Sequence, residues 1–239
     1  MKESTKVNIA GFPVHISRSD KVLMLGSCFA ANIGARMANG GYQVCVNPFG
    51  TLFNPVSVAS SLERLASAEP FTVSECVQMG AGSQLWCSFS HYTKFARPTK
   101  EEFLADANHA LAEASAFFRE CNKVIVTFGT AFVFEHESGR IVSNCLKRNA
   151  KEFRRYMLSI EEILALWQPL LEGILADKDV IFTVSPVRHM ADTAHGNQLS
   201  KSTLLLACDR LIAGDTQPAK RTYFPSYEIV LDELRDYSW

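Results

Sequence analysis

Five short apolar runs, each followed by a stretch of helical periodicity, constrain this chain more than any other feature. The runs are Lys21 to Gly26, Gln43 to Val46, Lys123 to Phe128, Val180 to Val184 and Thr222 to Phe224. Runs this short and continuously apolar suit parallel strands buried on both faces, and alternation with helices is the pattern of one α/β domain. Phe29, Ile33 and Met37 recur at helical spacing before Gly40-Gly41, and Asn54-Pro55 marks a helix start, with Asn as cap and Pro in the first turn. Thr99 with Glu102, and Ser159 with Glu162, read as capping boxes. Ser200 is taken to open a further helix, and Glu228 to Arg235 reads as helical. The runs 132–134 and 141–143 flank Glu137-Ser138-Gly139, the pattern of a β-hairpin insertion. Residues 71–98 are the least regular part. The whole of 1–239 reads as a single domain.

Composition excludes several classes. Lys and Arg number 24 against 25 Asp and Glu, so no basic surplus exists to neutralise a run of phosphates and no nucleic-acid partner is expected. There is no run of about 20 apolar residues and no signal-peptide core, so no membrane partner is expected. Seven cysteines without a CxxC pair, in a chain without a secretion signal, point to reduced thiols in a cytoplasmic protein. Oligomeric state is not legible.

In a doubly wound sheet the ligand site lies beyond the carboxyl ends of the strands. Those ends carry Gly26-Ser27, Asn47 to Gly50, Gly129-Thr130 and Ser185-Pro186, which should converge on one edge. Ser27 follows a buried strand and precedes a helix. There it is either a nucleophile backed by outward-pointing N–H groups or simply the helix N-cap. Cys28 is a rival thiol nucleophile, or a residue packed against the sheet. His189 is the candidate proton acceptor, with Asp192 near enough in sequence to orient it, or else a substrate-binding or loop-holding residue. The H-x-x-D-x-x-H spacing of His189, Asp192 and His195 is a weak metal signal, and no metal or other cofactor is expected. Arg188, Lys147 and Lys201 are candidate contacts for an anionic substrate group. Asn47, Asn54 and Asn144 are either substrate contacts or loop caps.

The string GSCFA at Gly26 to Ala30 resembles the GSCFA-domain family, a branch similar to the SGNH (GDSL-like) hydrolases. The likeness continues through NPFGTLFNP at Asn47 to Pro55, TFGTAFVFE at Thr127 to Glu135 and NCLK at Asn144 to Lys147. It includes SPVRH at Ser185 to His189, NQLSK at Asn197 to Lys201 and YFPSYEIVLDELRDY at Tyr223 to Tyr237. The resemblance implies a three-layer α/β/α, flavodoxin-like fold with a five-stranded parallel sheet. It implies an ester hydrolase or acyl-transfer enzyme with Ser27 as nucleophile, acting without a cofactor on a small-molecule or carbohydrate ester. Gly50, Gly129 and Thr130 then fall where that superfamily's oxyanion donors lie, although no asparagine follows Gly129 and Gly26 replaces the aspartate before the serine. The implied Asp-x-x-His motif after the fifth strand is absent, since no histidine follows His195. The chain therefore reads as lacking the family's C-terminal segment, with His189 as the substitute base. The alternative is a non-catalytic module that keeps the cleft and binds ligand without turnover.

Overall fold

The computed structural model describes residues 4–213 and 220–235. Residues 236–239, which carry the terminal aromatics, lie outside the described residues. In chain order the elements are β1 (Lys21–Gly26), α1 (Cys28–Asn39), β2 (Gln43–Val46), α2 (Pro55–Ser67), β3 (Val77–Gln78), β4 (Trp86–Cys87) and α3 (Lys100–Glu120). They continue with β5 (Lys123–Phe128), β6 (Phe132–His136), β7 (Ile141–Val142), β8 (Phe153–Met157), α4 (Ile160–Glu172), β9 (Asp179–Val184), α5 (Thr193–Ile212), β10 (Arg221–Tyr223) and α6 (Ser226–Glu228).

Five strands form one parallel sheet in the order β10-β9-β5-β1-β2. Counted along the chain this is 2-1-3-4-5, the order of doubly wound flavodoxin-like sheets. Leu23 pairs with Cys45 on one side and Val124 on the other, and Val126 pairs with Phe182. Alternate side chains divide the core. Leu23, Leu25, Val124, Val126, Val180 and Phe182 face α2, α3, α4 and α5 in one large cluster. Met24, Ile125 and Ile181 face α1 and the segment around Phe12 and Val14, with an apolar trough between them. Helices on both faces make three layers, and they explain why the middles of β1, β5 and β9 are apolar on both faces.

The helix ends follow local chemistry. Asn54 Oδ1 accepts the Ser57 N–H at 2.8 Å, with Pro55 in the first turn. Gly40 N–H donates to Arg36 O, and Gly41 takes φ +81°, closing α1. Ser159 and Glu162 bond each other reciprocally. Thr99 caps α3 through the Glu102 N–H at 3.1 Å.

Two expectations need correction and one extension. The expected hairpin is present as β6 and β7, and β8 pairs with the other side of β6 to make a three-stranded antiparallel sheet, β7-β6-β8. β8 was hidden because Arg154 and Arg155 interrupt its apolar pattern. α5 begins at Thr193, not Ser200, which lies inside the helix and caps nothing: its hydroxyl accepts the Ala131 N–H at 2.8 Å. Past β10 the chain makes one short α-turn and then a π-helical turn over Ile229–Glu233 in place of a regular helix. All seven cysteines are free thiols. No helix among the described residues is long and apolar enough to cross a membrane.

Candidate active site

The four strand ends do converge. Gly26, at the end of β1 between β2 and β5, has φ +136°, and a Cβ there would lie 2.1 Å from the Thr127 carbonyl oxygen of β5. Only glycine permits that approach. Its N–H donates to Asn47 Oδ1 at 2.8 Å, and its carbonyl accepts the Leu52 N–H at 2.9 Å. These bonds tie the end of β1 to the loop after β2. Ser27 follows as N-cap of α1. It is 2% exposed, its N–H donates to Thr127 O, and its Oγ accepts the Phe29 N–H at 3.2 Å. The cap geometry is therefore realised, at the position where strand end and helix N-terminus meet.

The three peptide groups expected as oxyanion donors are all engaged. Gly50 N–H donates to Asn47 O at 2.7 Å, and the Gly129 and Thr130 N–H groups both donate to Phe53 O, at 2.7 and 2.9 Å. Tight packing causes this. A Cβ at Gly50 would meet the Tyr92 side chain at 2.3 Å, so the turn has closed completely. Thr130 Oγ1 accepts the Phe132 N–H and shares a hydrogen bond with Ser200 Oγ. Asn47 Nδ2, on the side chain that accepts the Gly26 N–H, is buried with no hydrogen-bond partner among the described residues.

A cleft of about 520 Å³ opens at this edge. Phe53, Phe132 and Phe134 form apolar walls, and Asn54, Thr130, Asn144, Arg155, His189 and Asp192 supply polar groups. Ser27 is absent from this lining. His189 is half-buried, its N–H held by Asn197 Oδ1 at 3.0 Å and its ring edge-on to Phe53. Burial, with the nearby Lys201 charge, holds its imidazole below the usual range despite Asp192. No hydrogen bond among the described residues joins the ring to Ser27 or to Asp192. Asp192 pairs instead with Arg155, whose guanidinium lies 4.0 Å from the Phe132 ring centre, so it does not orient His189. The loop-holding roles weighed for the asparagines are present. Asn47 caps the β1 end, Asn54 caps α2, and Asn144 Oδ1 accepts the Leu146 N–H. Arg188 and Lys147 are exposed and do not line the cleft. His195 is exposed on α5, and the described residues contain no group of three His, Cys, Asp or Glu side chains placed to hold a metal.

The least anticipated group is Lys201. It is 1% exposed, and its Nζ donates to Gly129 O at 2.6 Å and Ser185 O at 2.7 Å, joining the ends of β5 and β9. It pairs with no carboxylate among the described residues. Burial lowers its pKa to about 8, partly opposed by Cys28 nearby. Asn197, Ser200 and Lys201 lie on the buried stripe of α5 that continues through Leu204, Cys208 and Leu211. One helix face thus holds the His189 loop, the Ala131 turn and two strand ends. The signal was available: running the apolar stripe of α5 back one turn lands on these polar residues.

The GSCFA family model matches residues 21–239. The chain belongs to the GSCFA family. The GSCFA string itself is thus the β1–α1 junction, and its glycine is the residue that lets Ser27 cap α1 directly against β5. No curated protein and no solved structure matches this GSCFA chain.

Proposed function

We propose that this GSCFA protein is an SGNH-like ester hydrolase or acyl-transfer enzyme that uses Ser27 as its nucleophile on a small-molecule or carbohydrate ester. The observation that carries the reading is the position of Ser27 Oγ, at the C-terminal end of β1 and on the Phe29 amide in the first turn of α1, where negative charge is favoured. In the reaction Ser27 Oγ bonds to the acyl carbon and passes its proton to a base. The carbonyl electrons move onto oxygen, then return as the alcohol leaves with a proton, and water or a second alcohol releases the acyl group. His189 is the base within the described residues. Its lowered pKa keeps it neutral at pH 7, the form that accepts a proton. Asn47 Nδ2, without a partner among the described residues, is the donor assigned to the oxyanion. The seven unpaired thiols support a reducing, cytoplasmic setting.

A second reading, a binding module without turnover, is favoured by one specific observation. Among the described residues Ser27 Oγ bonds a backbone N–H and no imidazole. Intact-mass spectrometry after fluorophosphonate treatment separates the two. A single adduct lost in Ser27→Ala supports the enzyme. Absence of an adduct, with esters still binding the cleft, supports the module. Loss of the cap costs about 1 kcal/mol, so Ser27→Ala remains folded as a control.

A further inference from the structure

Ser143 forms part of the wall of the cleft and also of a second cavity, of about 250 Å³. That cavity is built from α2, the loop after β4 and the β6–β7 turn. It is lined by five serines, by Arg64 and Arg140 and by aromatic rings, with no Asp or Glu in the lining. Ser57 is 3% exposed, and its Oγ has no hydrogen-bond partner among the described residues. A buried hydroxyl without a partner is costly, so it marks a place for one.

The two guanidiniums are held differently. Arg64 lies 4.4 Å from the Phe71 ring centre and donates to Glu75 at 2.7 Å, which fixes it in place. Arg140 donates to Ser90 Oγ and pairs with no carboxylate among the described residues. Its guanidinium stands at the solvent-exposed mouth of the cavity without a carboxylate partner. Both cations act on His91, which packs against the Phe49 and Phe71 rings of the wall, so their fields overlap there. Hydroxyl donors, an unneutralised guanidinium and the absence of lining carboxylates together select an anion with several acceptor oxygens. The volume equals about eight waters, enough for a phosphate and a short carbon skeleton.

We propose that this cavity is a binding site for a small phosphomonoester or inorganic phosphate, held by Arg140, Arg64 and the Ser57 hydroxyl. The site is independent of the Ser27 chemistry.

The test is calorimetric titration of the whole chain with inorganic phosphate and with glycerol 3-phosphate at low salt. Binding is expected, weakened about tenfold or more in Arg140→Ala and in Ser57→Ala, since each removes one hydrogen bond to a charged group. Ser57→Ala deletes an unpartnered hydroxyl, so its thermal midpoint should not fall, which separates lost binding from lost folding. Ser27→Ala should bind as the parent does, whatever the fate of the hydrolase reading. No binding of either probe, or equal binding by the parent and both cavity variants, overturns the proposal. Tighter binding of a carboxylate such as succinate overturns the assignment to phosphate.

Discussion

Replacing Lys201 with Met tests the central electrostatic feature of the site. Methionine fills much of the same space but carries no proton. In the fold the amine titrates at about 8, against 10.5 for a free lysine. Because the native form sheds its proton first, the unfolded chain alone holds that proton between these values. Stability then rises with pH across the window, by about 1.4 kcal/mol per pH unit. The whole gap is worth about 3 kcal/mol. The neutral amine retains two N–H groups for the carbonyls of Gly129 and Ser185, so losing the proton breaks neither bond. Urea unfolding of parent and Lys201→Met at several values between pH 7.5 and 10.5 isolates the effect, because every other titrating group cancels in the difference. The parent should gain about 3 kcal/mol on the variant from the bottom of that window to the top. A difference independent of pH refutes the reasoning, and so does one that falls with pH, since the carbonyls would then hold the proton more tightly than burial repels it.

Three further outcomes are expected. Gly26→Ala puts a methyl group 2.1 Å from Thr127 O and should lose the soluble fold, whereas Gly82→Ala, at φ +74° in open space, should cost only about 1 kcal/mol by chemical denaturation. His91 is held neutral by burial, its pKa lowered to about 3. The unfolded chain therefore binds a proton that the native state refuses below about pH 6.5, and stability falls by about 1.4 kcal/mol per pH unit on acidification. His91→Phe should flatten that part of a thermal-midpoint profile between pH 6.5 and 4. Trp167 is fully buried against Phe128 and Phe182 and donates to Pro55 O, so Trp167→Ala should destabilise by about 3–5 kcal/mol in urea unfolding.

Much of the architecture was legible because it rests on short-range signals. The strands β1, β5 and β9 each hold an apolar run behind a charged first residue, and Asn54-Pro55, Gly40-Gly41 and Ser159 with Glu162 punctuate the helices through bonds made within a few residues. What escaped depends on tertiary partners. Ser200 looks like a cap in isolation, and only the arrival of the Ala131 turn makes it an interior helix residue. His91 lies in the least patterned stretch, yet it is enclosed by Phe49, Phe71, Phe95 and Phe103, which come from distant or irregular segments. At the site, the convergence of Gly26, Asn47, Gly129 and Ser185 follows from topology alone. Whether an N–H at such an edge faces a cleft or a carbonyl depends on loop closure, and Phe53 O settles that for both Gly129 and Thr130.

The pairing of β1 with β5 sets the schedule on which the protein is made. Val22 lies opposite Lys123, so β1 leaves the ribosome about 100 residues before one of its two neighbours exists. At typical synthesis rates that is a wait of about 5–20 s, during which β2 alone can cover β1 and an apolar edge stays open. Closure comes when β5 emerges, and β9 and β10 then add outward from it in order. Slowing translation between residues 47 and 122 would lengthen that exposure without altering a single contact of the finished protein. Aggregation during expression should therefore respond to synonymous codon changes in that stretch more than to the same changes after residue 128.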